Sequence, residues 1–486
     1  MVDITQKQRT LRSNTHPLYL AMIEAWDLGR DSYAGEVAIK DKRSTYLPPT
    51  AGMRADGFGG GGNDNAGDLA YDAYLTRAYY PDVFADAVES AVGVMHRKPA
   101  QIELTPKLEA LLERATDDGE DIQLLLRKIN AMQLTTGRLG LLGVIEEKDN
   151  QIIPKLIVHN DNTLFNWDDT ANEESTQNLR LLEVDESNYE MTGDYAWKWQ
   201  NKIRVLALIN GEERIVGFDE DGLLEKGVYG YALLDDDNLE LKNATFEALS
   251  FKGTTLETIP FTFINSKDLS TVPDKPPLDG LARLALAIYR GEADYRQNLF
   301  MQGQDTLVRI GATPDEDEIV RTGAGARLDV PINGDAKYIG VSGDGLSEQR
   351  EALKNDYEKA DKKAAKLMAS GGGQESGEAL KIRVAAQTAT LPQIAQTGAA
   401  GLEKVLRDLA VWVGDNPDDI VVKPNLEFAD ASGDGLTLTQ IVASKIQGAP
   451  ISDVSIHNWM AEQGFTNLTY EEELANIGEE APKLDV

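Results

Sequence analysis

The chain has 486 residues, 42% of them apolar and 27% charged, and 48 lysines and arginines face 81 aspartates and glutamates for a formal charge of −33. That length accommodates about three structural units at roughly 150 residues each; the apolar fraction excludes wholesale disorder, and the acidic excess excludes a basic face that reads nucleic acid. Without cysteine there is no disulfide, thiolate metal site or cysteine nucleophile, and no run of about 18 apolar residues is present to span a membrane.

Met1 to Ser13 carries Lys7, Arg9 and Arg12 without an apolar core, so no signal peptide is expected there. A helical stripe follows over His16–Gly35, through Leu18, Met22, Ala25, Trp26 and Gly29. Thr50–Gly67, with Gly57 and the run Gly59–Gly62, predicts a mobile loop. Helical periodicity returns over Asp68–Met95 with a break near Pro81, again after Pro106, and again over Asp121–Leu134. From about Leu139 to Ile264 the period changes to two, predicting a mixed or antiparallel β unit, with Asn210-Gly211 as a hairpin signal. Trp197 and Trp199 share one strand face by spacing, which suits core or edge packing. After Pro276-Pro277, Leu281, Leu284, Ile288, Tyr295 and Leu299 form one seam of a helix over Leu278–Gln302. A β-rich segment comes next (307–312, 326–332, 336–341), with the acidic tip Asp315, Glu316, Asp317 and Glu318. A second long helix is predicted over Ser347–Ala369, with Ser347 as N-cap and a stripe of Leu353, Tyr357, Ala360, Ala364 and Leu367. The flexible run Ser370, Gly371, Gly372, Gly373, Gln374, Glu375, Ser376 precedes a very long helix over Gly377–Val413, which Pro392 should kink. The tail holds a short extended piece at 420–428 and three small helices.

Motifs for chemistry are absent. The four histidines, His16, His96, His159 and His457, are too far apart for a metal-binding pair on one helix. Asp430 to Gly435 starts like a calcium loop, but its twelfth position is Ile441 where a bidentate Glu is required. The clusters Asp235–Asn238 and Asp315–Glu318 read as solvated loop tips. Gly137, Gly140 and Gly143, spaced by three, lack both the dinucleotide pattern and the phosphate-loop Lys, and close backbone packing explains them. Gly340-Val-Ser342-Gly-Asp344 breaks the nucleophile elbow at its last glycine. No catalytic residue, cofactor site or metal site is singled out.

The order of elements is itself distinctive, and it resembles that of the tailed-bacteriophage portal protein, in particular a divergent group of portal-like phage proteins. The resembling stretches are HPLYLAMIEAWDLGRDSYAGE (16–36), AYLTRAYYPDVFADAVESAVGVMHRKP (73–99), TGRLGLL (136–142), HNDNTLFNW (159–167), PPLDGLARLALAIYRGEADYRQNLF (276–300), ESGEALKIR (375–383) and LRDLAVWVG (406–414). The resemblance implies an α+β, portal-type fold: a wing over 1–276, stem helices at 278–302 and 347–369, a β-rich clip at 303–346, a tunnel loop at Ser370–Ser376, a long kinked wing helix at 377–413 and a small helical crown at 414–486. It implies a dodecameric ring at the capsid vertex of the virion, assembled in the host cytoplasm, through which double-stranded DNA is packaged and ejected. Its partners would be other copies of itself, the large terminase, a head–tail adaptor, the major capsid protein and scaffolding protein, with DNA passing non-specifically, no membrane and no enzymatic activity.

The charges fit that job. The second stem helix sets Arg350, Lys354, Lys359, Lys362, Lys363 and Lys366 against five carboxylates, a mixture suited to ion pairs between subunits or to a solvated face. A bore that grips DNA tightly would add friction, because each phosphate contact adds affinity; the expectation is an acidic bore with Ser370–Ser376 projecting into it. The alternatives are a metal-dependent hydrolase using acidic clusters and another head–tail connector component of the virion.

Overall fold

Local signals set most of the helix boundaries in the computed structural model, which describes residues 15–60, 65–148, 151–168, 179–211, 214–217, 220, 224–235, 241, 244–303, 307–310, 327–334, 343–368, 390–426, 428, 435–447, 450–462, 466 and 468–480. Pro17 opens α1 (Pro17–Ala34), where a missing N–H costs nothing, and Gly35 at φ 85° ends it before α2 (Glu36–Asp41). Thr50 caps α3 (Ala51–Ala55), its Oγ1 accepting the Met53 N–H at 3.3 Å. Asn65 caps α4 (Ala66–Arg77) through the Asp68 N–H at 2.7 Å. The chain breaks around Pro81, as expected, before α5 (Val83–Met95). The short strand β1 (Gln101–Glu103) leads toward α6 (Ile122–Thr135), which Asp121 caps through the Leu124 N–H at 2.7 Å.

Two expectations fail in this region. Thr50–Gly67 holds α3 and packs at particular points, although most of its described residues are exposed: Met53 and Gly67 are buried, the Phe58 ring lies 4.6 Å from that of Tyr71, and a Cβ on Gly67 would stand 2.5 Å from Phe58 N. Its glycines serve close backbone approach as well as freedom. After Pro106 there is only a 3-10 turn, Glu109–Leu112; Leu108 and Leu111 anchor it in the core, and Ala115 O is taken by the Leu156 N–H at 2.8 Å, which ties the segment to a strand.

The β block contains β2 (Arg138–Lys148), β3 (Gln151–Asn160), β4 (Leu164–Asp168), β5 (Leu181–Asp185), β6 (Asn188–Met191), β7 (Trp197–Gln200), β8 (Lys202–Ile209), β9 (Val228–Asp235), β10 (Glu247–Ala248), β11 (Ser250–Phe251), β12 (Thr254–Thr255) and β13 (Phe261–Asn265). Two antiparallel sheets result, one ordered β13-β2-β3 and the other β10-β9-β8-β5-β4, while β6 and β7 form a separate two-stranded ribbon. Beyond Asn210-Gly211 the chain pairs back on β8, but among the described residues that return makes a single bridge, Ile209 to Ile215; the full-length partner of β8 is β9.

The long elements follow in the predicted order: α7 (Asp279–Gln302), β14 (Leu307–Ile310), β15 (Arg327–Val330), α8 (Gly343–Met368), α9 (Thr390–Val413) and β16 (Val421–Lys423). The fold is α+β. α8 begins at Gly343, one turn ahead of Ser347, so Ser347 is not its N-cap. β14 and β15 pair in parallel, and β16 closes onto β1. Pro392 lies in α9; residues 377–389, and with them the expected kink, lie outside the described residues. The apolar stripe of α9 (Leu391, Ile394, Leu402, Val405, Leu406, Leu409) is buried against α6, β2 and β13.

Met1–Leu426 and Glu427–Val486 are separate compact units. The second holds three helices, α10 (Gly435–Ile446), α11 (Asp453–Glu462) and α12 (Tyr470–Glu480), as predicted. A capping box starts α12: Thr469 Oγ1 accepts the Glu472 N–H at 3.4 Å while Glu472 Oε2 accepts the Thr469 N–H at 2.8 Å. Buried His457 of α11 meets Tyr470 edge-on at 5.4 Å.

Candidate functional site: the paired helices and their junction

α7 and α8 run antiparallel, because contacts that advance along one recede along the other. Asn298 Nδ2 donates to Gln349 Oε1 (3.2 Å), the Tyr357 hydroxyl to Glu292 Oε1 (3.1 Å), and Lys363 Nζ to the Gly280 carbonyl (3.0 Å). Gly291 lets Leu353 close in, since a Cβ there would lie 3.0 Å from Leu353 Cδ2. Leu353 and Ala360 are buried, so the predicted stripe is the one that packs. A 26-residue helix such as α8 is about 39 Å long at 1.5 Å per residue.

α7 is also held from below. The Tyr74 hydroxyl donates to Asp294 Oδ1 (2.6 Å), Arg290 Nε to the Tyr46 carbonyl (2.7 Å), and the Arg77 guanidinium covers the Phe300 ring at 4.0 Å. Burial, with Asp294 beside it, pushes the Tyr74 hydroxyl up and keeps it a donor. Burial likewise pushes the Tyr357 hydroxyl up, with Glu292 adding to it. At the N-terminus of α7, burial opposes ionisation of Asp279, but hydrogen bonds from Arg283 and Lys275 outweigh it and hold the carboxyl below its usual range. An anion in that first turn also suits the helix dipole.

Of the predicted site residues, Arg350, Lys354, Lys359, Lys362, Lys363 and Lys366 all lie on α8. Lys354, Lys359 and Lys362 sit near Glu351 (4.0 Å), Asp356 (2.8 Å) and Glu358 (3.8 Å) on their own helix. Over Gly343–Met368 six basic residues meet six acidic ones, so α8 is neutral in a chain at −33. Asp315–Glu318 and Ser370–Ser376 lie outside the described residues. Among the described residues no three His, Asp or Glu side chains gather into a group able to hold a metal ion, and no helix is long and apolar enough to cross a membrane.

The junction between the β13-β2-β3 sheet and α7 is a polar knot that sequence patterns did not announce. His96 Nε2 lies 2.8 Å from Asn130 Oδ1; Asn130 Nδ2 donates to Gln133 Oε1 (2.8 Å), and Gln133 Nε2 to the Asn265 carbonyl (2.7 Å). Asn265 Nδ2 then reaches Asp268 Oδ1 (3.1 Å) and the carbonyls of Ser270 (2.8 Å) and Val272 (3.0 Å). Arg138, fully buried, donates to the Thr271 carbonyl (2.8 Å) with its guanidinium over the rings of Phe263 (3.8 Å) and Trp167 (4.6 Å). Burial pulls His96 down, which keeps the knot free of that charge at neutral pH. The knot fixes the segment ahead of Pro276-Pro277, and Gly137 at φ 76° lets β2 start 3.1 Å (by a Cβ built there) from Pro276 Cα. The glycines at 137, 140 and 143 thus serve close packing: a Cβ on Gly143 would meet Leu409 Cγ at 2.8 Å. The knot's members lie up to 176 residues apart in sequence, from His96 to Val272, so only a signal such as paired Asn and Gln on an otherwise apolar helix face could have hinted at it.

Residues 277–413, α7 through α9, match the family described as "Domain of unknown function (DUF4055)". No curated protein matches the chain. Among solved structures the chain is similar to one from the neck of a native GTA particle computed with C12 symmetry, at 14% identity and a TM-score of 0.36, over 78% of this chain and 89% of that one. It is also similar to a chain from the neck of an empty GTA particle computed with C6 symmetry, at 15% identity and a TM-score of 0.34, over 79% and 90%.

Proposed function

We propose that the chain is a ring-forming head–tail connector subunit of a phage-type virion and, more finely, its portal protein. On this reading double-stranded DNA passes through the ring during packaging and ejection, with a terminase and then an adaptor docking at the β14–β15 end of the stem, and the subunit carries out no catalysis of its own. The observation that supports it most is the long antiparallel pair α7–α8 with a small strand pair between them, tied at the other end to an α+β body. A neutral α8 in an acidic chain lets that helix approach a neighbouring copy or a phosphate backbone without the repulsion the rest of the surface would impose.

The test is electron microscopy with native mass spectrometry of the purified protein. Closed rings with a central hole, of one stoichiometry, are expected. A monodisperse monomer that turns over a substrate only with a divalent ion would overturn the proposal in favour of a metal-dependent hydrolase.

A further inference from the structure

The ribbon β6–β7 presents an aromatic face with little to cover it. Its register sets Tyr189 against Trp199 and Met191 against Trp197. Strand alternation places all four on one face, and that face carries no carboxylate. The Tyr189 and Trp199 rings meet at 5.0 Å. Farther out, the turn holds Tyr195 at φ 59°, its N–H donated to the Thr192 carbonyl at 2.9 Å. Trp197 is 64% exposed, Tyr195 85% and Met191 54%, so of the core or edge place expected for Trp197 it takes the edge one, on a strand of a two-stranded ribbon. At about 150–250 Å² per aromatic side chain these three leave on the order of 400 Å² open, as much as the largest patch on a typical monomer. The ribbon continues from the β5–β8 pair, joined by the Glu186 N–H to the Lys202 carbonyl, but has two strands only, so a cover for this face would stabilise it.

A cleft of about 450 Å³ opens between α1, α5 and α6. Val92, Ala131 and Met132 line it, Leu124 stands at its edge 47% exposed, and its charged border is balanced, with Arg30, Arg127 and Lys128 facing Glu89, Glu120 and Asp161. Clefts of roughly 300–1,000 Å³ take ligands larger than an indole and a phenol together. Arg127 lies 3.9 Å from Glu89, at the outer limit of an ion pair, which leaves its guanidinium able to lie over an aromatic ring.

We propose that the β6–β7 tip of one copy seats Trp197 and Tyr195 in the α1–α5–α6 cleft of a second copy. A knob and a cleft on different elements can pair reciprocally in a two-fold dimer or repeat head to tail; on the ring reading the contact is the head-to-tail one, repeating from copy to copy until the ring closes. Two chains at −33 repel, but this contact adds little to that: the tip carries one carboxylate, Asp194, beside Tyr195 and Trp197, and the cleft lining balances Arg30, Arg127 and Lys128 against Glu89, Glu120 and Asp161. The patch is about half of the roughly 800 Å² per partner that a stable interface buries, so it acts as an anchor within a wider contact. The inference rests on the ring reading for its closure.

The test uses the full chain. Sedimentation and native mass spectrometry are run on the wild type, on Trp197→Ser with Tyr195→Ser, and on Leu124→Arg. Each variant is expected to need about 30-fold more protein to assemble, the scale of a lost hot spot, and mixing the two should give heterodimers that neither forms alone. Because the chain has no cysteine, Tyr195→Cys with Leu124→Cys in one chain gives a second readout that does not depend on weakened assembly: oxidation should yield a ladder of disulfide-linked multimers. Wild-type rings together with unchanged assembly of the variants and no ladder would overturn the knob and cleft while leaving the ring reading intact. A wild type that never assembles would overturn the ring reading itself.

Discussion

Burial holds the His159 imidazole down to about 4, with the nearby Arg204 adding to the effect. The same force acts on Asp408 in the other direction and pushes its carboxyl up to about 6, against the pull of Lys404 one turn away. Unfolded, the two would titrate near 6.5 and 3.8. As pH falls below 6.5 the unfolded chain protonates His159 before the folded chain does, so folding loses stability down to about pH 4. As pH falls below 6 the folded chain protonates Asp408 first, so folding gains stability down to about 3.8. For His159, which is 5% exposed, the gap is worth about 3 kcal/mol. Urea melts at stepped pH should therefore show His159→Leu losing most of that acid sensitivity. Asp408→Asn should be more stable than wild type near neutrality and should lack the compensating gain on acidification. A wild-type-like pH slope in both variants would mean that neither group is buried as described.

Helical glycines separate packing from propensity. A Cβ on Gly401 of α9 would lie 2.5 Å from Ile264 Cδ1 of β13, whereas one on Gly93 of α5 meets nothing within 4 Å. Gly93→Ala should then stabilise by about 1 kcal/mol, the helix-propensity difference. Gly401→Val should destabilise by roughly 1–3 kcal/mol through overpacking. Denaturant midpoints check both, and the same sign for the two would refute the described seating of α9. The contrast also explains what could be read from the chain beforehand. Apolar stripes such as Leu353, Tyr357, Ala360 and Ala364 encode their own burial, so the long helices and their order were legible. The start of α8 was not, because Gly343 and Gly345 weaken local helix preference and Ser347 looks like a cap; the helix nonetheless runs through them. Thr50–Gly67 misled for a related reason, since glycine-rich composition signals freedom while its role here is contact between Met53, Phe58, Gly67 and Tyr71. The polar knot around Asn130 and Asn265 is made of long-range pairs, and no local pattern carries such information.

A chain at −33 also constrains how copies can gather. Every copy added to a ring brings like charge alongside like charge, and this repulsion is long-ranged: its reach shrinks from about 30 Å at 0.01 M salt to about 10 Å at 0.1 M. Attraction between opposite charges would fall with salt as well, so the salt dependence reports which of the two dominates. On α8 the lysines at 354, 359 and 362 already stand beside carboxylates of the same helix. Such exposed pairs are worth about 0–1 kcal/mol and would gain little by exchanging partners across an interface. The term that changes on assembly is then the net repulsion, opposed by apolar contacts that salt does not weaken. Ring formation is accordingly expected to strengthen as salt rises from about 0.01 M toward 0.1 M and then to level off, with Lys354→Glu and Lys362→Glu steepening that dependence by making α8 acidic. Sedimentation across a salt series measures it. Assembly that weakened steadily with salt would instead place ion pairs between copies at the centre of the interface.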